Sequence, residues 1–268
     1  MASHAQILPT FSAPPLALLA TEPLRGMLDH VAGLFLDVDG LPRGDGRPVI
    51  VYPGLGATAH ATARLRSTLD RLGWSTHDWG LGLNRGPRGD FDAWIDGLAE
   101  RVDRIADEAG RAPSLVGWSL GGVFAREIAR RRRGAVDRVI TLGSPVRGGP
   151  ESTRAGPLYR VLSGTPARLD AAMRARLERA LPVPHVSIWS RTDGVVAWRS
   201  CRVDCRHGVD VEVPGVSHMG LVAHPKALRE VARVMALPVE RLAADGSAAR
   251  RTDAARARAP ARADRSSR

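Results

Sequence analysis

The sequence predicts an α/β fold with a mostly parallel central sheet and helices packed on both of its faces. From residue 49 onward, short apolar and β-branched runs alternate with segments of helical periodicity, and this alternation is typical of parallel sheets. The chain has 268 residues, enough for one large domain that buries about three-quarters of its unfolded surface. Glycines follow several of the helical segments, where they favour helix termination.

Six strands are predicted, most of them from short apolar runs and one, WSTHDWG, from its place in the alternation. They cover residues 49–54, 74–80, 114–119, 136–145, 185–190 and 209–215. Helical periodicity predicts helices over residues 58–73, 90–110, 120–133 and 225–236. The second of these helices has an acidic first turn and a terminal glycine, as the helix dipole and the C-cap rules favour.

The predicted domain boundaries follow from segments outside this alternation. Residues 1–45 form an N-terminal helical extension and linker, in which apolar positions at helical spacing over 16–37 predict one or two amphipathic helices laid on the domain or on a partner. Residues 46–243 form the α/β domain. Within it, the Gly- and Pro-punctuated residues 146–184, with one predicted helix near 167–180, indicate a small helical cap or lid.

The composition is strongly basic, but it does not predict a nucleic-acid-binding protein. The formal charge is +11, and the positive charge is almost all arginine, with Lys226 the single lysine. Residues 244–268 contain seven Arg and three Asp and therefore supply +4 of that charge. Their lack of apolar periodicity predicts a disordered basic tail. No motif interleaves basic and aromatic residues as a nucleic-acid-binding face requires.

The N-terminal region shows neither a signal-peptide pattern nor a membrane span, and the cysteines say little about compartment. No positive charge precedes the first apolar run, prolines interrupt it, and no uncharged stretch approaches about 18 residues. We therefore expect a cytoplasmic protein without a transmembrane segment, while peripheral membrane contact and the oligomeric state stay open. Cys201 and Cys205 lack the further ligands of a zinc site, and whether they are bridged also stays open.

A serine between two glycines stands at a predicted strand-to-helix junction. The stretch GWSLG places Ser119 between Gly117 and Gly121. A sharp turn that holds a nucleophile in a strained conformation leaves no room for side chains two residues before and after it. The dipole of the following helix would favour an oxyanion formed at the serine. Ser119 is therefore the candidate nucleophile, and a turn that simply needs small residues is the alternative.

A serine nucleophile requires a base. His218 follows the last predicted strand in a Gly-rich loop, so it should emerge at the same edge of the sheet as Ser119. His207 precedes that strand and would lie at the opposite edge, while His224 precedes Pro225 and is better interpreted as a helix-start residue. We therefore predict His218 as the base.

The base in turn requires a group that orients it. Asp193 directly follows the predicted strand 185–190, whereas Asp204 lies deeper in a loop and Asp210 lies inside the last strand. A carboxylate that accepts the second N–H of the base fixes its tautomer and stabilises the imidazolium. We therefore predict Asp193 as the acid.

Two backbone N–H groups are expected to bind an oxyanion. Leu120, directly after the serine, supplies one of them. The loop after the first strand, YPGLGA, offers Leu55 for the second, between Gly54 and Gly56, which let the backbone approach a substrate closely. A simple turn is the alternative for this loop.

Five stretches, in chain order, resemble the α/β-hydrolase superfamily, especially its small bacterial lipases and esterases. They are VIVYPGLG, LVGWSLGG, VITLGSP, SRTDGVV and VPGVSHMGL, within residues 49–236. The resemblance implies a triad of Ser119, Asp193 and His218 with an oxyanion hole at Leu55 and Leu120. Two departures are Pro53, where many members have histidine, and the lack of the family's first strands, which predicts a minimal core.

The resemblance further implies a serine hydrolase that cleaves small-molecule or lipid carboxylic esters through an acyl-enzyme, without a metal or organic cofactor. An acyltransferase with the same residues and a non-catalytic α/β-hydrolase scaffold are the alternatives. Apolar residues of the insert either line an acyl pocket or pack the insert's own helix, and Trp118 and Met219 are likewise either core or pocket wall. The insert residues in question are Leu158, Val161, Leu162, Leu169 and Met173.

Overall fold

The structure is a computed structural model that describes residues 11–164, 169–203 and 208–242. The predicted disordered tail, residues 244–268, lies outside the described residues. Three residues weighed in the sequence analysis, Asp204, Cys205 and His207, also lie outside them.

A six-stranded sheet, in which each neighbouring pair of strands is parallel, forms the centre of the protein. The strands are β1 (Pro48–Tyr52), β2 (Ser75–Asp78), β3 (Ser114–Trp118), β4 (Arg138–Leu142), β5 (His185–Trp189) and β6 (Gly208–Glu212). Their order in space is β2-β1-β3-β4-β5-β6, so the direction of winding reverses between β1 and β3. In open sheets of this kind, ligands bind outside the carboxyl ends of the strands at such a reversal. All six predicted strands and the parallel sheet are confirmed.

Helices cover both faces of the sheet, as predicted. They are α1 (Leu16–Leu34), α2 (Ala63–Leu72), α3 (Phe91–Ala109), α4 (Leu120–Arg131), α5 (Gly156–Ser163), α6 (Ala171–Glu178), α7 (Trp198–Cys201) and α8 (Pro225–Ala236). One core cluster joins the sheet to α2 and α8, and a second joins it to α3 and α4. Alternate residues of β1 divide between them, with Val49 and Val51 in the first cluster and Ile50 and Tyr52 in the second. This alternation follows from the two-residue period of a strand.

The insert after β4 contains two helices, whereas the sequence predicts one near 167–180. That prediction corresponds to α6, and α5 was missed. α5 begins with Gly156 and Pro157, a pair that is typical of turns and loops. This start explains why the sequence analysis assigned no helix there.

The first helix packs on the domain through its polar face. α1 is one helix, although it contains Pro23, and the side it buries carries Glu22, Gly26, Asp29 and Gly33. Most of its large apolar side chains are exposed, among them Leu24, Met27, Leu28 and Val31. The sequence predicts one or two amphipathic helices laid on the domain or on a partner, and the structure has one helix that contacts the domain through its polar face. The polar face is buried because it meets backbone N–H groups, as described below.

No helix within the described ranges is long and apolar enough to cross a membrane.

A matched pair of leucine substitutions tests this arrangement of helices. Leu69 of α2 is fully buried in the first core cluster, while Leu28 of α1 is 55% exposed. We expect Leu69→Ala to lower the free energy of unfolding by about 2–5 kcal/mol because it leaves a cavity. Leu28→Ala should change it by about 0.5 kcal/mol or less. Urea denaturation of both variants measures this, and an equal loss for Leu28→Ala would contradict the exposed face of α1.

Candidate active site

Ser119 occupies a strained turn between β3 and α4. Its backbone has φ 55° and ψ −122°, and it is the one non-glycine residue with positive φ in the described part of the chain. Such a conformation costs about 1–3 kcal/mol and persists only where the surroundings enforce it. The Ser119 N–H donates to the carbonyl of Leu142 at the end of β4 (2.9 Å), which fixes the turn against the neighbouring strand.

The two glycines that flank this turn are required by close backbone contacts. A Cβ at Gly117 would lie 2.4 Å from the Cα of Gly122, and a Cβ at Gly121 would lie 2.3 Å from the carbonyl oxygen of Tyr52. These distances exclude any side chain. The strand-turn-helix geometry predicted for GWSLG is therefore present, and its glycines are needed for backbone packing.

Asp193 and His218 meet at the same edge of the sheet, in the loops that follow β5 and β6. His218 Nδ1 and Asp193 Oδ2 are 2.7 Å apart, and both side chains are almost fully buried. The other oxygen of Asp193 accepts the backbone N–H groups of Val195 and Val196 at 2.8 and 2.7 Å. The carboxylate is thus held by three donors, and it directs the second ring nitrogen of His218 away from itself.

The electrostatic surroundings favour a protonated His218. Burial of the ring opposes its charged form, but the charge and hydrogen bond of Asp193, together with the charge of Glu22, outweigh it and raise the pKa of His218 above its ordinary value. An imidazole with a raised pKa is a stronger base, so the pair is suited to accept a proton from a neighbouring hydroxyl.

Trp118 connects the serine turn to the histidine loop. Its Nε1 donates to the carbonyl oxygen of His218 at 3.1 Å, and the two rings lie 5.5 Å apart between centroids. Because Trp118 directly precedes Ser119, this contact ties the turn to the loop that carries the imidazole. The sequence left Trp118 open between core and pocket wall, and the structure gives it a role in holding the loop. Met219 is 40% exposed and packs against Gly26 of α1.

Gly143, in the VITLGSP stretch, leaves room for the pair. Its φ is +54°, and a Cβ there would lie 2.9 Å from Asp193 Oδ2 and 3.1 Å from His218 Nδ1. The backbone after β4 therefore packs directly against the Asp193–His218 hydrogen bond, and a side chain at Gly143 would disturb it.

The loop after β1 lies against Ser119 and presents one free backbone donor. A Cβ at Gly54 would be 3.2 Å from the Cβ of Ser119. The N–H groups of Leu55 and Leu120 have no acceptor among the described residues. Both groups are therefore available to a ligand.

Asn84 holds this loop and was missed by the sequence analysis. It is fully buried, its Nδ2 donates to the carbonyl of Pro53 at 2.8 Å, and its Oδ1 accepts the N–H of Gly86 at 3.0 Å. Its backbone exchanges two further hydrogen bonds with Gly56 and Ala57. A single Asn in a Gly-rich loop carries no motif, so only its rarity in this sequence could have drawn attention to it.

The insert after β4 approaches the same loop. Side-chain carbons of Leu158 and Leu162 in α5 lie 3.4 Å from the position that a Cβ at Gly56 would take. Val161 is 79% exposed. Within the insert, α5 thus faces the Leu55 loop.

The competing residues weighed from the sequence lie elsewhere or are not described. Asp210 hydrogen-bonds to Arg202 Nε and to the N–H of Val203, and burial raises the pKa of its carboxyl. His224 is the N-cap of α8, where its ring accepts the N–H of Lys226, as its position before Pro225 predicted. Cys201 is a buried free thiol.

Two carboxylates of α1 reach the same loops and had no counterpart in the sequence analysis. Glu22 Oε1 accepts the backbone N–H groups of Gly194 and His218 at 2.6 and 3.1 Å. Asp29 Oδ2 accepts the N–H and the hydroxyl of Ser217 at 2.9 and 2.6 Å. Both acids lie more than 160 residues from their partners, and the sequence carries no signal that joins them.

An open depression of about 510 Å³ lies at the other edge of the sheet. It is formed around Glu127, a fully buried carboxylate of α4 that pairs with Arg130 at 2.5 Å and with Arg176 at 2.8 Å. Both of its acidic side chains, Asp92 and Glu127, are paired with arginines of the same depression, and the Asp193–His218 pair does not contribute to it.

Comparison with solved structures identifies the fold. The mature form of the Bacillus licheniformis lipase BlEst2 matches with a TM-score of 0.56 and 18% identity, over 76% of this chain and 97% of that one. Aspergillus fumigatus lipase B matches with a TM-score of 0.55 and 18% identity, over 74% of this chain and 55% of that one. The Paleococcus ferrophilus monoacylglycerol lipase matches with a TM-score of 0.50 and 16% identity, over 76% and 96%. At these identities the likeness shows the fold alone.

No curated protein sequence matches the chain significantly. The family model described as serine aminopeptidase, S33, matches residues 46–192, which is more than half of the chain. The matched range includes β1, the Ser119 turn and the insert. The α/β-hydrolase fold predicted from the sequence is confirmed, and the chain belongs to the serine aminopeptidase S33 family of α/β-hydrolases.

Proposed function

We propose that this hydrolase cleaves carboxylic esters, with Ser119 as the nucleophile, His218 as the general base and Asp193 as the residue that orients it. The observation that carries the proposal is the buried 2.7 Å hydrogen bond between Asp193 and His218 at the sheet edge where Ser119 forms its strained turn. A buried acid–imidazole pair beside a strained serine is the arrangement that serine hydrolases use for nucleophilic catalysis.

In the first stage, Ser119 Oγ attacks the ester carbonyl while His218 Nε2 accepts its proton. A C–O bond forms, and the carbonyl oxygen becomes an oxyanion. Asp193 keeps the proton of His218 on Nδ1 and stabilises the imidazolium that develops. The oxyanion then reforms the carbonyl as the C–O bond to the leaving oxygen breaks, the imidazolium donates its proton to that oxygen, and an alcohol departs to leave the acyl-enzyme.

The oxyanion is proposed to bind the N–H groups of Leu55 and Leu120. Support comes from the lack of an acceptor for either group among the described residues. Leu120 is the first residue of α4, so the helix dipole also favours negative charge there. Asn84 would position Leu55 through its hydrogen bond to Pro53.

In the second stage, water attacks the acyl-enzyme with His218 again as base, and the acid is released. The serine recovers its proton from the imidazolium, so the enzyme returns to its starting state without a metal or an organic cofactor.

An apolar acyl group fits the surroundings best. Leu158 and Leu162 of α5 lie against the Leu55 loop, and Leu158 is 46% exposed. We therefore propose that α5 supplies part of an acyl pocket in a cap formed by residues 146–184. The same arrangement would serve an acyltransferase if an alcohol replaced water in the second stage.

Alanine substitution of the serine tests the nucleophile. We expect Ser119→Ala to lower kcat for p-nitrophenyl esters by at least about 10⁴-fold and to abolish labelling by a fluorophosphonate. Ser67→Ala, an exposed serine of α2, is the matched control and should behave as the original protein. A Ser119→Ala variant that keeps its activity would rule out this mechanism and favour the scaffold alternative.

Substrate panels separate the reaction classes. A panel of p-nitrophenyl esters that differ in acyl length is compared with aminoacyl p-nitroanilides, the amide substrates that the family description suggests. We expect the esters to be turned over faster than the amides. Preferential formation of a new ester when an acceptor alcohol competes with water would instead identify an acyltransferase.

The pH dependence of kcat/KM tests the pair. His218 must be neutral to act as base, so kcat/KM should rise with pH through its raised pKa. Asp193→Asn removes the charge that raises this pKa, so the acidic limb should move to lower pH, and kcat should fall by about 10³- to 10⁴-fold.

Asp210→Asn is the matched control for this experiment, since Asp210 is a partly buried carboxylate on β6 that contacts Arg202. We expect Asp210→Asn to leave both the acidic limb of the kcat/KM profile and kcat unchanged. A larger loss of kcat from Asp210→Asn than from Asp193→Asn would show that Asp193 is not the carboxylate that orients His218.

A further inference from the structure

Glu22 joins the loop of the acid to the loop of the base. One oxygen, Oε1, accepts the N–H of Gly194 at 2.6 Å and the N–H of His218 at 3.1 Å. Gly194 directly follows Asp193, so this single oxygen binds the backbone beside the acid and the backbone of the base itself. The distance between the two loops therefore depends on a side chain of α1.

The carboxylate is buried and paired. Glu22 is 3% exposed, and Arg25 Nη2 donates to the same Oε1 at 2.9 Å. Arg25 Nη1 donates to the carbonyl of Thr192 at 2.8 Å, which adds a second link between α1 and the acid loop. Glu22 Oε2 is buried without a hydrogen bond in the described part of the chain. Burying a carboxylate is costly unless donors compensate it, and here two of the three donors are backbone N–H groups of the loops that carry Asp193 and His218.

The helix α1 packs against these loops at backbone distance. A Cβ at Gly194 would lie 2.5 Å from the carbonyl oxygen of Leu18, and a Cβ at Gly26 would lie 2.8 Å from the Cβ of Met219. Asp29 holds Ser217, the residue before His218, by two hydrogen bonds. Glu22 therefore acts on loops that are already packed tightly against its helix.

We propose that Glu22 is a positioning residue for the Asp193–His218 pair, which makes the N-terminal helix part of the active site. The inference rests on the proposed ester hydrolysis. Glu22 touches neither substrate nor reacting atoms. It sets the relative position of the two loops through their N–H groups and places a second negative charge beside the imidazole.

The charged groups around His218 are few among the described residues. Asp193 faces it from the loop after β5, and Glu22 faces it from α1. Arg25 binds Glu22, and Asp29 binds the neighbouring Ser217. The charge of Glu22 adds to that of Asp193 in raising the pKa of His218, so its removal should lower that pKa.

Glu22→Gln tests the charge while keeping an oxygen acceptor. We expect the acidic limb of kcat/KM, and of the rate of fluorophosphonate labelling, to move to lower pH. Glu127→Gln is the matched control, because Glu127 is an equally buried, arginine-paired glutamate at the other edge of the sheet. It should lower thermal stability without moving the limb, since it contacts neither loop.

Glu22→Ala tests the positioning. Loss of both N–H contacts should lower kcat by about 10- to 100-fold with little change in KM, because small displacements of reacting groups are costly. Glu22→Gln should recover part of this loss. If Glu22→Ala does not fold, the pH profile of Glu22→Gln decides alone.

An acidic limb of Glu22→Gln that coincides with that of the original protein would overturn the inference, as would a kcat of Glu22→Ala equal to that of the original protein. Ser119→Ala keeps this outcome distinct from failure of the proposed function. An inactive Ser119→Ala beside unaffected Glu22 variants refutes only the role of Glu22, whereas an active Ser119→Ala refutes both.

Discussion

The close approach of three strands at the Ser119 turn constrains the rest of the site. Gly121 touches the carbonyl of Tyr52 at the end of β1, and a Cβ at Gly122 would lie 2.0 Å from Ser144 Oγ, just beyond β4. A side chain at Gly121 would push the turn away from the end of β1, and one at Gly122 would meet Ser144 beyond the end of β4. The Leu55 loop follows β1, and Gly143, which lies against the Asp193–His218 pair, follows β4. Such a shift would therefore change the position of Ser119 relative to both the proposed oxyanion donors and the pair. The strain in the Ser119 backbone is thus maintained by contacts that also set the spacing of the site.

Much of this arrangement could be predicted from the sequence, because it depends on local patterns and on one topological rule. Apolar runs of strand length and helical periodicity identified every strand and the helices that pack on the sheet. Since parallel strands end at one edge, residues directly after β3, β5 and β6 had to converge there. The positions of Ser119, Asp193 and His218 after predicted strands therefore place all three at one edge of the sheet, before any contact between them is known.

The supporting contacts could not be predicted, because they join polar side chains to distant backbone groups. Asn84 binds the carbonyl of Pro53, and Glu22 binds the N–H of His218, 196 residues away. Such bonds leave no periodicity, and any Asn or Glu could make them. Hydrophobic periodicity also gives no signal for the buried face of α1, since in a surface helix it is ordinarily the apolar face that is buried. Here the loops after β5 and β6 offer unpaired N–H donors, and the face with acceptors is buried against them.

The docking of α1 therefore depends on hydrogen bonding and charge more than on apolar burial. If α1 withdrew, the N–H groups of Gly194, Ser217 and His218 would lose their acceptors, and water would have to replace them beside the imidazole. Buried donors left without acceptors cost about 1–3 kcal/mol each, so the docked helix and the ordered loops stabilise each other. The predicted boundary between residues 45 and 46 separates α1 from the α/β domain along the chain. In space, however, Glu22 lies against the loops that carry Asp193 and His218, because its carboxylate accepts the N–H groups of Gly194 and His218.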